Sequence, residues 1–162
     1  MEELKEKVGR TTKFKDKKYP PNFESLWGFG DNPGNFSEKR WKTFKWARPE
    51  KIYKKDEYHV YKTQPHPNDI LQGIVGDCYF VSSLTAIAER PERIQKLFLD
   101  KTVNDTGVYG LKFCINGEFQ EVIIDDNFPC FHHFKAHFFH HDVETNKPIF
   151  SSSKHNQIWV MI

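Results

Sequence analysis

Long apolar runs are missing from this 162-residue chain, and its mean hydropathy is −0.71. That leaves no stretch able to form a bilayer-spanning helix. The opening, MEELKEKVGR, lacks the apolar centre of a secretory signal. Cysteine is scarce: three residues, none in C-x-x-C spacing, fit neither a disulfide framework nor a zinc knuckle. The simplest compartment for such a chain is the reducing cytosol. An excess of one charge is also missing. With 24 Lys and Arg against 22 Asp and Glu, the net +2 makes no electrostatic case for nucleic acid or an acidic membrane as partner.

What is present suffices for one core. Hydrophobic residues make up 38% and aromatic residues 15%, enough for one compact domain and too little for two ordinary ones. Residues 1–18 are charged and lysine-rich and read as a poorly ordered arm. Residues 19–50 are rich in Pro, Gly and Asn, with Trp27, Trp41 and Trp46 as anchors of an irregular wrapping segment. Asp77 is a plausible N-cap for a helix from Cys78 to about Arg90, whose Phe80, Leu84, Ile87 and Ala88 would form a buried face. Pro91 stops it and opens a second helix with a stripe of Ile94, Leu97 and Phe98. The period then changes to two: Tyr109, Leu111, Phe113 and Ile115 alternate, Asn116-Gly117 signals a type I′ turn, and Val122 and Ile124 return. The order of elements is an α+β arrangement. The chain closes on NQIWVMI, five apolar residues last. That run reads either as an element cut short, with an exposed apolar patch, or as a terminal element docked into the core.

The stretch QGIVGDCYF (72–80) poses the functional question. A nucleophilic cysteine works as its thiolate, and a helix N-terminus stabilises that anion. Cys78 falls at such an N-terminus. Gly73 and Gly76 permit a tight turn before it. The Cys78 N–H and the Gln72 amide are suitable donors to an oxyanion. Asp77 would oppose a thiolate unless it turns away. From these residues alone, a buried cysteine packed at a helix start is the competing reading.

LQGIVGDCYFVSSLTAIAE resembles the active-site cysteine segment of the calpain family, the calcium-dependent papain-like cysteine proteases. YPPNFESL resembles that family's Pro-rich opening, KWARPEKI its Trp-x-Arg-Pro segment, EFQEVIIDDNFP its strand ending in Asp-Asp and then Pro, and KPIFSSSKHNQIWVMI the approach to a Trp-bearing helix. Five motifs in the family's order cover roughly residues 19–162, interrupted near 131–145. The resemblance implies a papain-like calpain protease core. It would be the N-terminal helical subdomain with a small antiparallel hairpin or sheet, cut short before the second half. It makes Cys78 the nucleophile and Gln72 the oxyanion donor. Asp69 matches a calcium ligand. Gln157 stands where the family has a glutamate ligand, and that loss of charge should weaken calcium binding. Tyr79 replaces the usual Trp.

The family's catalytic His and Asn follow later than these residues reach. No His-Ala-Tyr-like or Asn-Pro-Trp segment occurs, and none of His59, His66, His132, His133, His137, His140, His141 and His155 lies in a matching context. The expectation is a calcium-dependent cysteine endopeptidase of intracellular proteins whose chain as given is inactive alone. It would need a complementary second protease subdomain as partner. The alternative is a non-catalytic calpain-like binding or regulatory module. The patch FHHFKAHFFHH (131–141) holds five of the eight histidines. On a helix, His133, His137 and His141 would share a metal-binding face. The competing reading is an inserted loop with solvated histidines.

Overall fold

A two-residue turn needs two left-handed residues, and Asn116-Gly117 supplies them at φ 53° and 84°. In the computed structural model this turn joins β3 and β4 in register Ile115↔Glu118, back to Val108↔Asp125. The structure describes residues 5, 6, 8, 12–27, 37–53, 58–135 and 143–162, and no side-chain description is given for Trp27, 132–135 and 143–145. Among these residues the helices are α1 (Phe23–Trp27), α2 (Glu38–Trp41), α3 (Pro49–Ile52), α4 (Cys78–Ala88) and α5 (Pro91–Leu97). The strands are β1 (Lys45–Ala47), β2 (Ile70–Leu71), β3 (Val108–Ile115), β4 (Glu118–Asp125), β5 (Phe128–Lys135), β6 (Val143–Pro148) and β7 (Ser152–Ser153). They form three antiparallel sheets, β1-β5-β6, β2-β7 and β3-β4, so the fold is α+β.

The alternation expected along β3 is not seen in its burial: its first four residues are buried and its last four exposed. Tyr109 and Leu111 are buried, whereas Phe113, Ile115 and Phe119 are exposed. The main core gathers Tyr58, Val60, Ala88, Ile94, Phe98 and Tyr109 around Ile158, Trp159 and Val160. Of the last apolar run, Ile158, Trp159 and Val160 are therefore packed inward, while Met161 and Ile162 are half-buried. Burial of each such side chain contributes ~1.5–3 kcal/mol, which holds this segment in place. Backbone bonds from Ile158 and Trp159 to Val60 add direction to that packing. A second core has Leu26, Trp41, Phe44 and Ile149, so of the three tryptophans read as anchors, Trp41 is fully buried and Trp46 packs partly buried beside it.

The face of α4 departs from expectation. Ala88 is fully buried and Leu84 half-buried, but Phe80 is 49% and Ile87 36% exposed. With Phe98, Phe113 and Trp159 they line an open apolar groove. Helical spacing shows which residues share a face; it does not say whether anything covers that face. The helix reading of the histidine patch also fails for His133, which lies on β5 opposite Thr145 of β6. On a strand the four-residue spacing no longer stacks side chains as it does on a helix. His137, His140 and His141 lie outside the described residues.

Two of the motifs meet through charge. Arg48, at the N-terminus of α3, ion-pairs Asp126, which follows β4 and is 1% exposed. Its second guanidinium nitrogen donates to the Phe14 carbonyl. Phe14 N–H donates to Thr106 and Lys13 pairs with Glu50, so the described part of the opening segment contacts the body. Burial pushes the Asp126 carboxyl above the usual carboxylate range, and the Arg48 guanidinium reverses this only in part. Gly107, at φ 67°, lies against the pair; a Cβ there would come 2.4 Å from Arg48 Nη1 and 2.7 Å from Asp126 Oδ1. Removing Arg48 would leave the carboxylate uncompensated. Arg48→Leu should lower unfolding free energy by ~3–5 kcal/mol in urea titration; a loss below ~1 kcal/mol would show that Asp126 is already neutral or solvated.

Candidate active site

Gly73 is small for a reason other than backbone freedom. It is not among the positive-φ residues. A Cβ on it would lie 1.6 Å from the Phe150 carbonyl oxygen and 2.2 Å from that of Ile149. The loop between β2 and α4 runs directly over this backbone. Ile74 N–H and Val75 N–H both donate to the Ile149 carbonyl, at 2.8 and 3.2 Å. Upstream, β2 pairs with β7, and Lys154 N–H donates to the Asp69 carbonyl at 2.8 Å. The 149–154 segment thus carries the 69–75 segment along its length.

From that support the chain turns into α4. Asp77 occupies the N-cap position, and its carbonyl accepts from Phe80 N–H and Val81 N–H. Its side chain makes no cap bond. It accepts instead from Gln72 Nε2 at 3.3 Å. The carboxylate that could oppose an anion at Cys78 is buried at 9% exposure and engaged with this amide. Cys78 begins an eleven-residue helix and is exposed, which overturns the buried-cysteine reading. Gln72, Asp77 and Cys78 therefore lie together at one helix start. Tyr79 projects outward, 77% exposed. The other two cysteines differ: Cys114 is exposed on β3, while Cys130 is buried, donates to the Phe128 carbonyl, and has its thiol pushed up to about 12 by burial.

No histidine hydrogen-bonds Cys78 among the described residues. His66 caps the 3-10 turn Pro67–Asp69 through Nδ1, His59 bridges the backbone at Gln157, and His155 is exposed in a left-handed turn beside Asn156.

Asp69 and Gln157 do come together. Gln157 Nε2 donates to Asp69 Oδ2 at 3.1 Å and to the Lys154 carbonyl at 3.2 Å, while its Oε1 accepts from Lys62 N–H at 3.0 Å. These partners fix the amide's orientation. A flip would turn its oxygen on two acceptors and its NH2 on a donor. The donor chemistry does not fit calcium, which takes six to eight oxygens. Here one amide oxygen is committed to a backbone N–H, and an NH2 group faces the one carboxylate. Among the described residues no group of three or more His, Cys, Asp or Glu side chains is arranged to hold a metal ion.

Sequence reasoning singled out Cys78, Gln72, Asp69 and Gln157 but missed what holds them. The Ile149 carbonyl, Lys62 N–H and the Lys154 carbonyl are backbone groups, and backbone partners leave no residue-type signal. Gly73 was the one available sign of a close approach.

Residues 14–162 match the model of the calpain family cysteine proteases. The chain is 32% identical over 152 residues to the calpain-type cysteine protease DEK1 of Arabidopsis thaliana, covering 91% of this chain and 6% of that protein. It is 32% identical over 154 residues to the calpain-type cysteine protease ADL1 of Oryza sativa subsp. japonica, covering 92% and 6%. Calpain-5 of Caenorhabditis elegans is 28% identical over 124 residues, covering 72% and 17%. The chain spans about 6% of the length of these two plant relatives.

Two measurements check this geometry. Iodoacetamide on the native chain at mildly alkaline pH should label Cys78 and Cys114 and spare Cys130, read by peptide mass. Labelling of Cys130 as fast as Cys78 would contradict its burial. Gly73→Ala should cost more than ~2 kcal/mol of unfolding free energy, because backbone has to move.

Proposed function

Because the chain belongs to the calpain family of cysteine proteases, we propose that it carries the nucleophile half of a cysteine endopeptidase site. The observation that supports this most is the helix start at which exposed Cys78 and the Asp77-held Gln72 amide come together. In this reading the Cys78 thiolate attacks a substrate backbone carbonyl. The Cys78 N–H and Gln72 Nε2–H donate to the oxyanion that forms. A histidine that has taken the Cys78 thiol proton passes it to the departing amine. It then takes a proton from the water that attacks the thioester, so that the acid product leaves and the Cys78 thiolate is restored. That histidine and its orienting asparagine are supplied by a complementary protease subdomain, since no described histidine reaches Cys78.

The substrates in this reading are proteins cut at limited sites in a reducing cytosol. No described helix is long and apolar enough to cross a membrane. Calcium enters at the level of the family. Asp69 and Gln157 are the positions the resemblance assigns to it, and no catalytic step is routed through them.

A second reading, a non-catalytic binding module, is favoured by the open apolar face of α4, where Phe80 and Ile87 await cover. One experiment separates the two. The 162-residue chain alone should not cleave an unfolded protein such as casein. Mixed with a family member's second subdomain, it should cleave, and Cys78→Ser should abolish this. Gln72→Ala should lower the rate ~10²–10³-fold. Cleavage that survives Cys78→Ser would sink the nucleophile assignment. Complex formation without any cleavage would leave the binding module standing.

A further inference from the structure

The hydrogen bonds of Gln157 join two stretches of chain that are distant in sequence, 62–69 and 154–157. Gln157 is 2% exposed, and both ends of its amide are engaged: Oε1 with Lys62 N–H, Nε2 with Asp69 Oδ2 and the Lys154 carbonyl. The other Asp69 oxygen faces His155 Nε2 at 4.0 Å. Consider a carboxylate in place of this amide. One oxygen would keep the Lys62 N–H. The other would be turned on Asp69 Oδ2 and the Lys154 carbonyl. Three oxygens carrying two negative charges would then face one another with little solvent, an arrangement that a divalent cation stabilises and that repels without one. The neutral amide puts two N–H donors into that space instead.

We propose that Gln157 replaces a bound cation in this part of the chain. Its NH2 group links the Asp69 carboxylate to the Lys154 carbonyl, and its oxygen links both to Lys62. Asp69 leads directly into β2, which pairs with β7 and is followed by Gln72. The approach to the candidate site is thus held in place without calcium. This follows from the hydrogen bonds alone and stands whether or not Cys78 is a nucleophile.

The test compares the chain in chelator and in millimolar calcium by thermal midpoint and by hydrogen exchange of the Lys62 amide. The native chain should show the same midpoint and the same Lys62 protection in both. Gln157→Glu should lose ~5 °C or more in chelator and regain it in calcium; a variant that folds only once calcium is added counts as the same result. Should Gln157→Glu fold in neither buffer, Asp69→Asn decides. It removes the charge and keeps an acceptor for the amide, so it should keep Lys62 protected and ignore calcium. A calcium-induced rise in the native midpoint that Asp69→Asn abolishes would overturn the proposal. So would a Gln157→Glu chain as stable as the native one in chelator, or an unprotected Lys62 amide in the native chain.

Discussion

The candidate site depends on a single carbonyl group. Ile149 C=O accepts from two successive amides, Ile74 and Val75, and so fixes the loop that ends in Cys78. Such double acceptance works only if the two backbones approach to within contact distance, and that approach requires Gly73. The loop cannot slide or lift without breaking both bonds at once. Ile149 is itself fully buried and tied to Pro129 through its own N–H. The geometry around Cys78 is thereby transmitted from the second core through the backbone, with side chains playing a smaller part.

Two carboxylates elsewhere show two ways to hold a charge away from water. Asp126 has a full countercharge in Arg48, yet its Oδ2 has no hydrogen-bond partner among the described residues. That arrangement is costly, and it is stable only while the guanidinium stays. Asp69 is only partly buried and is met by an amide, not by a cation. An amide dipole stabilises a carboxylate less than a full charge does, but it also demands less desolvation. The first solution locks the opening segment and α3 to the end of β4. The second joins the chain ahead of β2, at Lys62 and Asp69, to the approach to Trp159.

Features set by local chemistry were legible in the sequence. Asn116-Gly117 fixed the hairpin because few other pairs adopt two left-handed residues. Asp77 and Pro91 bracketed α4, since a helix needs a start and a stop within its own sequence. The five motifs pointed to the family that the comparisons show. Features set by distant neighbours were not legible. Whether Phe80 and Ile87 are covered depends on what faces α4, and the inward packing of Ile158 and Trp159 depends on Val60 and Phe98. The four-residue histidine spacing suggested a helix, but β-pairing with β6 overrode it at His133. Cys78 and Gln72 could be named from sequence; that Asp77 would serve the Gln72 amide and make no cap could not.

The pairing of β5 with β6 has a consequence for how this chain can change over time. Its register runs from Cys130↔Pro148 outward to Lys135↔Val143, away from the end that meets β1 and Ile149. Lengthening whatever joins the outer end of that ladder costs only chain-closure entropy, ~0.6 kcal/mol per doubling. Residues can accumulate there by duplication without altering the register of the inner pairs.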